Sequence, residues 1–414
     1  MLRSRYRLST VVVDGMHVTV PPPLPDGSSP IMPLTDVKGG KPVEIATILA
    51  DGTKLDFMSK SGEVTFSLIV KRLAFDGVGS GKAVTYRASL WNTEPPGEIR
   101  ASGQFGPWYS EDPGRSRISG TYTFERADLG TFKGLQGILS SQGKLDGSLH
   151  HIGVTGTVRV PDLRVGNSGH TVNMSAEFRA AVNATDGNID LQNVETHWGR
   201  TTVQASGEVE GKPGKAGKVV GLELTSVDGR VEDLLDLVLA AKRAPLSGDV
   251  NLKARAELVP GPRPFLERLK VVGDFGLTAT KFADRNLQSK LDKLSQSAQK
   301  KSESGAAELT AVSNLRGHVE AEDAVATLRN VSFSISGTDA KVQGTCNLES
   351  ERVDLHGNLR TRGKVYVTET GFKSMLLRAM SPFLKHREHE TFVPFKITGT
   401  YPDANVGLDL FRSK

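Results

Sequence analysis

The stretch Val172-Asn173-Met174-Ser175-Ala176-Glu177-Phe178-Arg179-Ala180-Ala181-Val182 decides the fold class. Val172, Met174, Ala176, Phe178, Ala180 and Val182 occupy every second position, and Asn173, Ser175, Glu177 and Arg179 lie between them. Successive side chains of a strand point to opposite faces, so this pattern makes a strand with one apolar and one polar face. The same period returns along the chain. Val84 to Leu90, Ile118 to Phe124, Val154 to Val160 and Val203 to Val209 carry it. So do Val250 to Leu258, Val331 to Ile335, Val342 to Leu348 and Val353 to Leu359. Short polar turns such as Asp186-Gly187-Asn188 favour antiparallel neighbours. The expected fold class is mainly β: an elongated, curved antiparallel sheet, a β groove built from repeats.

About four short amphipathic helices are expected to interrupt the strands. Ala127 to Ser140 places Leu129, Phe132, Leu135, Ile138 and Leu139 in one stripe. Val231 to Arg243 carries Leu234, Leu235, Val238 and Leu239, with acids first and bases last, as the helix dipole favours. Asp284 to Ser302 and Phe372 to Leu384 are the third and fourth. Repetition is visible as well. Leu191-Gln192-Asn193-Val194 aligns with Leu328-Arg329-Asn330-Val331, and Val203 to Gly207 aligns with Val342 to Thr345. Repeats of this kind favour an extended architecture. The expected division is an N-terminal β region over 1–126, incomplete at its start, and a β-groove region over 127–414 with two related strand-helix blocks.

Composition narrows the class. The chain has 414 residues, 37% of them hydrophobic and 24% charged, which suits a folded protein rather than a disordered one. A net charge of +5, from 52 basic and 47 acidic residues, is dilute over this length and gives no reason to expect nucleic acid. A single cysteine excludes an internal disulfide framework and every multi-cysteine zinc pattern. Near the start, Arg3, Arg5 and Arg7 precede a short apolar stretch, Leu8 to Val13, that Asp14 ends. A secretory core needs ~7–15 apolar residues and a membrane span ~20, so neither is expected here. Val11 to Val20 reads as a hairpin-like pair running into Pro21-Pro22-Pro23, and so abrupt a beginning suggests N-terminal truncation.

Roughly 15 to 18 one-sided strands offer far more apolar area than four short helices can cover, and large apolar patches are not left wet. Either two sheets face each other or one sheet curls until its apolar face lines a trough. A trough needs a tenant, and an acyl chain fits. At ~0.8 kcal/mol per methylene kept from water, a sixteen-carbon chain gains roughly 12 kcal/mol. Val172, Met174, Phe178 and Val182 are the candidate floor residues, since they share a strand face.

Motifs for chemistry fall short. Asp76-Gly77-Val78-Gly79-Ser80-Gly81-Lys82-Ala83 imitates a phosphate loop but has Asp76 for the first glycine and Ala83 for the final Ser/Thr. His386, Glu388, His389 and Glu390 match no zinc-helix spacing, and His150-His151 reads as a strand end. Cys346 falls on an apolar strand face, where cysteine is a small inert hydrophobe. Trp91, Trp108 and Trp198 are too scattered for a carbohydrate cleft. The expectation is therefore a non-enzymatic protein with no catalytic, cofactor-binding or metal-binding residue assigned.

Phe105-Gly106-Pro107-Trp108, Gly120 to Phe124, Ala127 to Gly134, Gly137 to Lys144 and Val160-Pro161-Asp162 resemble the AsmA-like family of bacterial envelope proteins. The ending Val393 to Asp403 is similar to that family's closing strand. The likeness covers roughly residues 95–414 and rests on packing and turn motifs, so it marks no active residue. It implies a periplasmic β region anchored to the inner membrane by a helix that this chain lacks, with a role in outer-membrane assembly and lipid transport. Lipid acyl chains are the partner it implies. A structural envelope protein with closed two-sheet packing and no lipid cargo is the alternative.

Overall fold

The computed structural model describes residues 6–20, 43–58, 62, 64–78, 82–109, 112–166, 170–211, 217–241, 243–282, 312–335, 338–362, 386–387, 390–401 and 403–409. Its strands begin with β1 (Tyr6–Asp14), β2 (His17–Val20), β3 (Val43–Asp51), β4 (Thr53–Met58), β5 (Val64–Val78), β6 (Val84–Thr93), β7 (Pro96–Phe105) and β8 (Arg117–Asp128). They continue with β9 (Leu135–Gln136), β10 (Ile138–Ser148), β11 (His151–Val165), β12 (Val172–Val182), β13 (Ile189–Trp198), β14 (Thr201–Gly211), β15 (Lys218–Arg230) and β16 (Leu246–Leu258). The last are β17 (Leu269–Phe282), β18 (Ser313–Glu322), β19 (Val325–Ile335), β20 (Thr338–Asn347), β21 (Arg352–Arg362), β22 (His386–Arg387), β23 (Glu390–Thr400) and β24 (Asn405–Leu408).

Twenty-three of these form one long mixed sheet that does not close on itself. The two-residue β9 pairs separately with the end of β11. From β5 onward nearly every long strand pairs antiparallel with the next, so the sheet is a meander. Strand β8 continues across position 126/127, its pairing with β10 resuming at Ala127 after a bulge. The alternating stretches all form strands, and Val172–Val182 is β12 from end to end.

The N-terminal edge departs from the hairpin expectation. β1 and β2 do not pair with each other; they lie end to end and run parallel to β3 and β4. Asp14-Gly15 looks like a hairpin turn, but Asp51-Gly52 repeats it in register, Asp14 opposite Asp51. Both glycines take positive φ, +68° and +66°, which bends the two strands together. Asp56 clamps this edge: buried, it accepts from Ser67, from Lys54 at 2.9 Å and from His17 at 2.6 Å. Those hydrogen bonds, Ser67's first, hold its carboxyl far below the usual carboxylate range.

The helix expectation needs correction: the described residues hold two helices, α1 (Val231–Asp236) and α2 (Phe265–Arg268), not four. Residues 127–140 are not helical. They finish β8, make a short 3₁₀ turn over Leu129–Thr131 and enter β9 and β10. Gly134 and Gly137 take φ of +87° and +134°, outside the helical region, and Asp128 accepts the Gly130 N–H at 2.8 Å. Within 231–243 the helix stops after Asp236, because the Ala240 and Ala241 amides are taken by Glu351 at 2.7 and 3.0 Å. α2 escapes periodicity because four residues cannot show a stripe; Pro264 precedes it, where a fixed φ suits a helix start. Asp284–Ser302 and Phe372–Leu384 lie outside the described residues.

Twist determines what the meander encloses. Neighbouring strands rotate by roughly 20–25° each, so the seven steps from β11 to β18 accumulate ~140–175°. Opposite ends of distant strands therefore meet. The turns after β16 and β18 reach back to the segments around β9 and β11: Phe265 N–H bonds Lys133 O at 2.7 Å, and Ala324 N–H bonds Leu266 O at 3.3 Å. Val160, Leu163, Val165, Leu266 and Ala324 form a buried cluster at that junction. A larger cluster lies on the same sheet face from β16 to β23, with Val250, Leu277, Val331, Val342, Leu359 and Phe395 buried against Val231 of α1.

Phe395 is fully buried at the centre of the larger cluster. Phe395→Ala is expected to cost about 3–5 kcal/mol, the usual penalty for emptying an aromatic site. A urea titration followed by circular dichroism measures this as a lowered midpoint with an unchanged slope.

Candidate functional site

The register relations carry one apolar line across the whole sheet. It starts at Val13, Ala50, Leu73, Ala88 and Ala101, each paired with the next strand's member. It passes through Tyr122, Gly143, Gly156, Phe178 and Val194. Ala205, Leu224, Ala254, Gly273 and Val319 continue it. Leu328, Gly344, Leu355, Ile397 and Val406 take it to the far edge. No member is charged. Tyr122 brings the one polar side-chain atom, and its hydroxyl lies 3.0 Å from Ser141 Oγ, with burial pushing its pKa up.

A second line, two residues along each strand, runs from Val11, Ile48, Phe75 and Tyr86 to Cys346, Val353 and Gly399. Laid strand by strand at ~4.8 Å, the first line extends about 90 Å.

Cover over this face varies from row to row. From β10 to β15 the floor residues Leu145, Val154, Phe178, Val194, Leu222 and Leu224 are half-buried. From β18 to β23 the line's Val319, Leu328, Leu355 and Ile397 are likewise half-buried, while Leu315, Val331, Phe333, Ala340, Leu359 and Phe395, in other rows of the same face, are buried, as are Ala176, Ala180 and Val203 on β12 and β14. α1 and the chain after it lie on this face, Val231 in the larger cluster and Leu237 and Val238 against the second.

Of the four floor residues read from sequence, Phe178 lies in the line and is half-buried. Val182 is also half-buried, paired with Ile152 and Ile189. Met174 packs against the Val160–Leu266 cluster, so a charge there would report on packing. Val172 pairs with Leu163 of that same cluster.

The opposite face is polar. It has a shallow concavity of about 900 Å³ lined by Thr121, Gln142, Lys144, Thr155, Glu177 and Arg179, and another of about 610 Å³ around Glu223, Arg255 and Lys270. A strongly twisted sheet is saddle-shaped, so each face is hollow along a different direction. Solvated ion pairs lie on this face, among them Arg87–Asp76 and Arg255–Glu223, both at 2.9 Å, and contribute little to stability.

Other singled-out residues have structural roles. Asp76, the first residue of the phosphate-loop imitation, lies inside β5, where Thr47 and Arg87 bond it at 3.3 and 2.9 Å; Gly79 to Gly81 lie outside the described residues. His150 Nε2 lies 3.1 Å from Asp112 Oδ1, and His151 opens β11. Trp198 donates to Asp233 O at 3.1 Å, pinning α1. Lys218, missed in the sequence, donates to Asp186 O and Asn188 Oδ1, each at 3.1 Å, and burial lowers its pKa to about 8. His386 is in β22 and Glu390 in β23; Glu388 and His389 lie outside the described residues. Among the described residues no group of three or more His, Cys, Asp and Glu is arranged to hold a metal. No helix among them is long and apolar enough to cross a membrane.

No protein-family model matches this chain, and neither a curated protein nor a solved structure shows significant similarity to it.

Burial raises the Cys346 thiol to about 11, from an ordinary 9.0. That shift leaves about 100-fold less thiolate near neutral pH. Iodoacetamide is expected to alkylate Cys346 about 100-fold more slowly in the native chain than in urea-unfolded chain at pH 7.5, as mass spectrometry of timed samples would show.

Proposed function

We propose that this is a non-enzymatic cell-envelope protein that shelters or conducts lipid acyl chains along its apolar sheet face, in support of outer-membrane assembly. The carrying observation is the apolar line that crosses every long strand without a charge while staying half-buried from β10 to β15. A floor for a mobile hydrocarbon needs continuity and access, and a packed core needs only burial. The motif resemblance to AsmA-like proteins supports the same reading, with a periplasmic location and an inner-membrane anchor in the full-length protein.

A second reading is favoured by a separate observation. Beside the line, from β18 to β23, other rows of the same face are close-packed, with Phe395 and Leu359 at 0% and 1% exposure. A scaffold with closed apolar faces and no cargo would look like this throughout.

Phe178→Asp separates the two. An exposed floor tolerates a charge that a packed core would not, where an unpaired buried charge costs several kcal/mol. The variant is expected to melt within a few degrees of the parent and to retain severalfold less lipid after purification from a bacterial host, by extraction and mass spectrometry. Undiminished lipid would show that this face does not hold it, and an unfolded variant would favour the scaffold. A parent chain that carries no lipid would defeat the acyl-chain reading outright.

A further inference from the structure

The chain between α1 and β16 crosses the inner face and is fastened by a different kind of bond from the rest of the molecule. α1 itself is bolted down. Asp233 accepts from Thr201 Oγ1 at 2.8 Å and from Arg200 N–H at 2.7 Å, and Val231, Leu234 and Leu235 pack into the larger cluster. Beyond Asp236 the fastening changes. Leu237 and Val238 lie against the second cluster, beside Val160 and Leu163. The next residues reach the far rim, where the Glu351 carboxylate, in the turn between β20 and β21, accepts the Ala240 and Ala241 amides at 2.7 and 3.0 Å. His170 Nε2 meets Ala241 O at 2.7 Å, and the Tyr401 hydroxyl donates to Arg243 O at 3.2 Å.

These bonds come from three separate loops on two rims, and none belongs to a sheet ladder. Breaking them leaves every strand pairing intact.

We infer that residues 237–241 form a strap that bars the apolar face, latched by Glu351, and that acyl chains pass from the β10–β15 floor to the β16–β23 floor when the latch opens. This inference rests on the lipid reading for its cargo. The strap itself has a cargo-free consequence, because opening it exposes the Ala240 and Ala241 amides.

Glu351→Ala removes the acceptor while altering no core side chain, and Glu351→Gln keeps an acceptor oxygen. By hydrogen exchange, Glu351→Ala is expected to speed exchange in a peptide covering 237–243 by at least about tenfold, since two amides lose a charged partner, with Glu351→Gln intermediate. Exchange in β23 should not change. Loss of protection in both places would show that the segment is ordinary core, and no change in either would show that Glu351 is not the latch; either result overturns the strap.

Passage is read by a benzophenone amino acid placed at Phe178 or at Phe275, one on each side of the strap, with photolabelling by co-purified lipid. Labelling is expected at 178 in the parent, and at 275 only in Glu351→Ala. A Cys346→Ala chain with cysteines at Ala240 and Glu351, joined by a short bis-maleimide, should abolish labelling at 275 and leave it at 178. Labelling at 275 that survives the cross-link overturns the bar. Labelling at neither site, with the exchange result as expected, defeats the lipid reading and leaves the strap standing.

Discussion

Keeping one face of so long a sheet apolar requires that side-chain phase survive every interruption of the ladder. A slip of one residue turns a whole strand over. The ladder is interrupted often, and at five of the interruptions the apolar face resumes three residues on: Val70 then Leu73, Phe124 then Ala127, Val160 then Leu163, Leu191 then Val194, Leu328 then Val331. Each interruption is a bulge, in which the bulged strand spends one residue more than its partner. Arg126 and Asn330 take positive φ at two of them, as an extra residue in a bulge commonly does. Bulges also sharpen twist, so the devices that preserve phase help coil the sheet on which both buried clusters depend.

Much of this was legible in the residues. The alternating stretches became strands, and the Leu-x-Asn-Val pairs mark matching bulges, at Leu191/Val194 and Leu328/Val331. The structural alignment after them differs from the textual one by two residues. Gly207 and Gly344 are the equivalent positions, each paired with the bulge's leucine and with φ near +150°. What alternation could not show was coil. Twist adds a small angle at each strand, and no single strand records the sum that brings Lys133 beside Phe265. The helix over 127–140 failed for a local reason, since its leucine stripe was interrupted by glycines that the backbone uses at positive φ. Phe178 was legible as floor, whereas Met174 on the same strand face was claimed by the junction that the coil creates.

The two readings of the apolar face coexist because one chain presents both situations. Around Val231 of α1 such residues as Leu359 and Phe395 find protein partners and close-pack, whereas along the line itself the side chains stay half-buried, on β10–β15 and on β18–β23 alike. The energetic question is local. A residue such as Phe395 gains its stabilisation from fixed neighbours, whereas half-buried Phe178 leaves part of its apolar surface uncovered.

The meander also sets the unit by which such a molecule can grow. Each long strand touches mainly the one before and the one after, so an insertion disturbs only the seam it opens. A lone added strand would reverse the direction of everything downstream, whereas a hairpin restores it. The matching bulges sit on β13 and β19, and both strands run the same way along the sheet. An even number of strand steps separates them, as duplication by whole hairpins demands. Length is therefore a property that evolution can change in hairpin steps without redesigning either face.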